Sequence, residues 1–172
     1  MTKLIKVAAV AAAVLTATPA FAAPVSVAAG TEPQASAKIV RPLTLSATGS
    51  LNFGTIVLNG VTANRTVSLS NAGVLDCAGG SAELQCSGTT SVPTYNVQGT
   101  NNMVVTIIKN NTTLSNGTGG TLTLTPVGAA TVTLSNSGAP GNNFGIGGSI
   151  TIGTATPEGL YTGSVNVQVD YQ

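Results

Sequence analysis

The chain has 172 residues, six Lys or Arg against five Asp or Glu, and no histidine. Only 6% of it is charged, where about 25% is usual. No basic patch exists to hold phosphates, so nucleic acid is not an expected partner. Without histidine the commonest general base is missing, together with every Ser-His-Asp and Cys-His arrangement. Low charge with 42% apolar residues is also the reverse of a disordered composition.

Residues 1–22 read as a cleavable export signal. Lys3 and Lys6 form a basic start, residues 7–17 are apolar, and Ala20-Phe21-Ala22 follows Pro19 as a small-x-small cleavage site. The rival is a membrane anchor. The apolar run would rise about 16 Å as a helix, roughly half of a bilayer core of about 30 Å. No later segment is long and apolar enough to span, so no transmembrane segment is expected after cleavage. The exported product belongs in the periplasm, on the cell surface or outside the cell. Residues 23–172 carry four basic residues (Lys38, Arg41, Arg65, Lys109) and five acidic ones (Glu32, Asp76, Glu83, Glu158, Asp170), a net charge of −1. Low repulsion between copies favours self-association.

Residues 23–36 are rich in small residues, with Gly30 and two prolines, and read as a flexible arm. Val25, Val27 and Ala29 alternate with Ser26 and Ala28 within it. From residue 37 to the end, short runs of Val, Ile, Thr and Leu alternate with Gly, Asn, Ser and Pro clusters, the pattern of an all-β sandwich. Nine strands are expected, at residues 37–46, 51–58, 65–70, 95–98, 103–108, 120–125, 131–134, 149–153 and 161–171. Pro42 lacks an N–H and marks the first as an edge or bulged strand. Asn59-Gly60, Asn116-Gly117 and residues 139–143 supply turn chemistry. A membrane-spanning barrel would need longer strands and aromatic girdles, and aromatics are only 3% of the chain.

Cys77 and Cys86, the only cysteines, suit a disulfide across a Gly-rich loop in an exported protein. A redox or metal pair is the alternative, but the spacing is not Cys-x-x-Cys and no histidine is present. Asp76 with Glu83, or Glu158 with Asp170, would be the only carboxylate pairs, and solvated loop charges are the plainer reading. Residues 145–148 are Gly-rich without a following helix, so they are no nucleotide fingerprint. No catalytic residue, metal or cofactor is expected.

The last stretch alternates without a break. Tyr161, Gly163, Val165, Val167, Val169 and Tyr171 occupy one face, and Thr162, Ser164, Asn166, Gln168 and Asp170 the other. One long strand with one buried face is expected, either a plain core strand or, on a sharper reading, one that borders a groove for another chain by β-strand addition.

Three motifs carry a family resemblance: Leu51-Asn52-Phe53-Gly54-Thr55-Ile56-Val57, Gly147-Gly148-Ser149-Ile150-Thr151-Ile152-Gly153, and Gly159-Leu160-Tyr161-Thr162-Gly163 with its Val-rich ending. In that order they resemble the bacterial secreted family of domain of unknown function 4402 (DUF4402), over residues 39–172. Its members resemble subunits of chaperone–usher pili and spore-coat-like sandwiches. Such pilins commonly end in a penultimate aromatic, here Tyr171, with a glycine at Gly159. The resemblance implies an immunoglobulin-like sandwich lacking its final strand, with a neighbour's N-terminal arm filling the gap. Val25, Val27 and Ala29 would then be the donor residues. Gly159 and the odd-numbered residues from Tyr161 to Tyr171 would border the acceptor groove. The function this implies is a non-catalytic pilus-like or surface-coat subunit. It would associate with itself or other surface subunits and be escorted by a periplasmic chaperone. A self-contained, adhesin-like binding module is the alternative.

Overall fold

The computed structural model describes residues 23–172. The expected signal peptide lies outside the described residues. The described part of the first unit, Met1–Ala37, has no strand, and its one ordered feature is a turn in which the Thr31 N–H donates to the Ala28 carbonyl. Val25 and Val27 are exposed.

The second unit, Lys38–Gln172, is all-β. Its strands are β1 Thr44–Thr48, β2 Thr55–Leu58, β3 Arg65–Leu69, β4 Leu75–Cys77, β5 Leu84–Ser87, β6 Thr94–Gln98 and β7 Val104–Asn110. They continue with β8 Thr112–Ser115, β9 Thr121–Val127, β10 Thr131–Thr133, β11 Asn142–Gly145, β12 Gly147–Ile152 and β13 Asn166–Tyr171. Thirteen strands therefore replace the nine expected. Every expected strand has a counterpart; β4, β5, β8 and β11 are additional. These four are three or four residues long and polar or Gly-flanked, so neighbouring strands define them more than their own pattern does.

All pairings are antiparallel and form four sheets. The largest runs β4-β3-β12-β9-β8. The others run β1-β6-β11, β10-β7-β13 and β2-β5. Alternation decides which faces meet. In β9, Leu122, Leu124 and Pro126 are buried while Thr121, Thr123 and Thr125 are exposed. The inner face of the five-stranded sheet packs against Phe53, Ile56, Leu84 and Cys86 around the β2-β5 pair. The sheets β1-β6-β11 and β10-β7-β13 face each other through Tyr95, Val97, Val105 and Ile107. The fold is sandwich-like, with two halves joined at Val165, which packs against both cores.

Two ties close the structure. Cys77 of β4 is disulfide-bonded to Cys86 of β5, with 5.9 Å between their α-carbons, which joins the edge of the five-stranded sheet to the β2-β5 layer. The second tie is ionic. Arg65 Nε on β3 donates to Glu83 Oε2 at 2.6 Å, and Thr62 Oγ1 donates to Glu83 Oε1. The Arg65 guanidinium and the Thr62 hydroxyl hold the Glu83 carboxyl down to about 2. A carboxylate depressed in the folded state stabilises fully above its unfolded value of about 4.3 and loses that contribution as pH falls towards its folded value. The melting temperature is therefore expected to drop between pH 5 and pH 2, and Glu83→Gln to flatten that part of the profile. An unchanged profile in Glu83→Gln would show that the pair contributes nothing.

The first expected strand, residues 37–46, begins later than its sequence suggests, at Thr44. Ile39 is 91% exposed and has no surface to pack on, while Arg41 is held by single hydrogen bonds to Thr100 and Tyr171 in place of a strand ladder. The last strand is also shorter than expected. Its alternation persists, with odd-numbered Val165 to Tyr171 half-buried, but regular pairing covers only Asn166–Tyr171 against β7. Upstream, Thr162 instead bridges Ser115 of β8. The chain end thus follows one strand and then the next, and bends between them.

Candidate functional site: an apolar groove

The five-stranded sheet is wider than the layer facing it. With strands about 4.8 Å apart, five strands span roughly 19 Å between outer axes, and two span about 5 Å. The disulfide fixes β5 over the β4 side. The inner faces of β9 and β8 therefore lie beyond the side of the sheet that β5 covers. A groove of about 900 Å³ lies there. Its floor is Leu114, Leu122, Leu124, Ile150 and Ile152; one wall is β2, and the other is residues 156–163 with Val165.

The strand that walls the groove, β2, has a free edge. Asn59 N–H donates to the Glu83 carbonyl in the β2-β5 register. In an antiparallel ladder this turns the amide groups of Ile56 and Leu58 away from β5, to the groove side. In the other half of the fold, away from the groove lining, Gln172 N–H donates to the Val104 carbonyl, so Val167, Val169 and Tyr171 of β13 turn their amide groups away from β7. Neither edge has a further strand in its sheet. The rim is apolar: Val57 is 45% and Leu58 40% exposed on β2, and Leu160 is 81% exposed opposite. The one charged side chain among the lining residues is Glu158.

Of the residues singled out from sequence, Gly159, Tyr161, Gly163 and Val165 line this groove. Gly163 lets the chain lie against β8: a Cβ there would meet the Thr113 carbonyl oxygen and the Leu114 side chain. Gly159 has φ +143°, a conformation that side-chain-bearing residues avoid. Val167, Val169 and Tyr171 do not line the groove. They pack into the other half of the fold. Tyr171 Oη donates to the Arg41 carbonyl at 2.7 Å and accepts from Thr100 N–H at 2.8 Å. The expected penultimate aromatic is thus a clip between the two ends of the domain. Val25, Val27 and Ala29 belong to the arm and form no strand.

Sequence reasoning missed the floor leucines and isoleucines as site residues, along with Val57, Leu58 and Leu160. The floor residues read as ordinary core positions, and only the width mismatch between layers distinguishes them. Among the described residues no group of three or more Cys, Asp or Glu lies together. Asp76 Oδ1 accepts the Gly79 N–H, and Glu83 is held by Arg65, so that carboxylate pair is occupied in structural bonds. No helix among the described residues is long and apolar enough to cross a membrane.

The family profile for Domain of unknown function (DUF4402) matches residues 43–171. The chain belongs to the DUF4402 family. The match takes in both walls and the floor of the groove, and begins after the arm. No curated protein and no solved structure matches the chain. Every lining residue of the groove in this DUF4402 protein falls within the matched residues.

Proposed function

We propose that this protein is a non-catalytic, exported structural subunit, pilus-like or coat-like, whose copies join by β-strand addition. The acceptor is the groove between β2 and residues 156–163. The donor is the arm of a second copy, with Val25, Val27 and Ala29 directed to the floor. On this reading the domain is an immunoglobulin-like sandwich short of one strand. The observation that carries it is the coincidence of a groove over an apolar floor with the unpaired edge of β2 beside it. Added main-chain hydrogen bonds supply affinity, and alternate side chains supply fit. The dimensions agree. β2 presents four residues, and Val25 to Ala29 is a five-residue alternating run. The floor already holds large side chains, so small donor residues suit it. Very low charge removes the repulsion that would keep copies apart.

The test is assembly. Unheated protein on a denaturing gel is expected to run as a ladder of oligomers that collapses on boiling. Val27→Asp is expected to abolish the ladder, because a carboxylate would be buried on an apolar floor without a partner. A wild-type protein that is monomeric under every condition, or a Val27→Asp ladder identical to wild type, would overturn strand donation. One feature favours the second reading, a self-contained adhesin-like module. The floor residues are only 1–9% exposed, so an unfilled groove leaves little apolar surface in water.

A further inference from the structure

Residues 157–160 are the least anchored part of the groove wall. All four are exposed. None of their backbone groups pairs with a strand among the described residues. Tyr161 Oη donates to the Pro157 carbonyl at 2.7 Å, a bond that rounds the segment on itself. Its one hydrogen bond to the body of the domain runs from Asn116 Nδ2 to the Glu158 carbonyl, at 3.4 Å. The segment is firmly held only beyond its ends. At one end the Gly153 N–H donates to Thr156 Oγ1 at 2.8 Å; at the other Thr162 and Ser115 exchange backbone bonds at 2.9 Å. Few buried contacts and few backbone bonds are the physical marks of a segment that opens and closes cheaply. Yet this segment carries Leu160, a large apolar side chain 81% exposed on the rim of an apolar groove.

We infer that residues 157–160 form a clasp, and that Leu160 folds over a strand lying in the groove, setting how long that strand stays. The inference rests on the strand-addition reading and takes the arm of a second copy as the occupant. The chemistry is one-sided. An empty groove gives Leu160 little to cover, because the floor residues are already only 1–9% exposed, whereas an added strand of Val and Ala supplies an apolar back on which it can be buried. Asn116 holds the clasp at one point, so it can swing without disturbing the β8–β9 turn. There, Asn116 Oδ1 accepts the Thr118 and Gly120 N–H groups. Closure after docking acts on escape and leaves encounter unchanged, so the signature is kinetic.

The experiment uses the full chain with Val27→Asp, whose own arm cannot compete, and a synthetic peptide of residues 23–36. Peptide association and dissociation are followed with Leu160 intact, with Leu160→Ser, and with Val74→Ser, an exposed valine away from the groove. Leu160→Ser is expected to speed dissociation about tenfold or more, the scale of one buried leucine. Association should stay within about twofold, and Val74→Ser should match the parent. Amide exchange at residues 158–161 is expected to slow on peptide binding, and less so in Leu160→Ser. A peptide that binds the parent but leaves Leu160→Ser at the parental rate would overturn the clasp and leave strand addition standing. Equal effects of Leu160→Ser and Val74→Ser would do the same. A peptide that fails to bind the parent would overturn strand addition, and the clasp with it.

Discussion

Tyr171→Ala is expected to lower the unfolding free energy by about 3 kcal/mol, the low end for removing a core aromatic because the side chain is only half-buried. Two contributions add. The ring packs in the second half of the fold with Val97, Val105 and Leu134. The hydroxyl joins the Arg41 carbonyl to the Thr100 N–H, across 130 and 71 residues of sequence. Tyr171→Phe separates them, keeping the ring and losing both hydrogen bonds, for an expected cost of about 1–2 kcal/mol. Denaturant unfolding of the three proteins measures both steps. A Tyr171→Phe protein as stable as wild type would show that the clip contributes packing alone.

Replacing both Cys77 and Cys86 by Ser is expected to cost about 2.5–3 kcal/mol, from the chain entropy released when a loop of roughly ten residues is no longer closed. At this size the thermal midpoint should fall by about 5–12 °C, and reductant on the wild type should reproduce the shift. A second consequence belongs to the groove. The disulfide fixes the β2-β5 layer over the β4 side of the wide sheet, so without it the β2 wall can shift over the groove floor. Binding of the residue 23–36 peptide should weaken in the reduced protein while it remains folded. Unchanged affinity in a folded, reduced protein would show that the wall is positioned by packing alone.

These two residue sets also mark how far local pattern reaches. Cys77 and Cys86 were legible as a pair, because two cysteines outside a Cys-x-x-Cys spacing, in a chain without histidine, have few other uses. The strands around them were not: Leu75–Cys77 and Leu84–Ser87 are too short to show a period and sit beside Gly-rich turns. Val67 and Leu69, both fully buried, stood out because strict alternation needs only one strand to be seen. Tyr171 was legible as inward-facing, but it packs in the other half of the fold and is not among the residues lining the groove. Its alternation fixes a side of the strand, and every odd residue from Tyr161 to Tyr171 shares that side. Which neighbour the side meets changes along the chain, from β8 at Thr162 to β7 after Asn166.

By itself the sequence determined an all-β chain, the inward and outward faces of its longer strands, the disulfide and the family. Each follows from local chemistry: period-two patterning, turn residues, cysteine count and ordered motifs. Only the tertiary structure decided that five strands face two, that a groove opens between β2 and residues 156–163, and that Tyr171 clips the domain ends together. Those properties depend on how many strands end up side by side in each layer. Strand count per layer is set by pairing between segments far apart in sequence, and no local pattern records it.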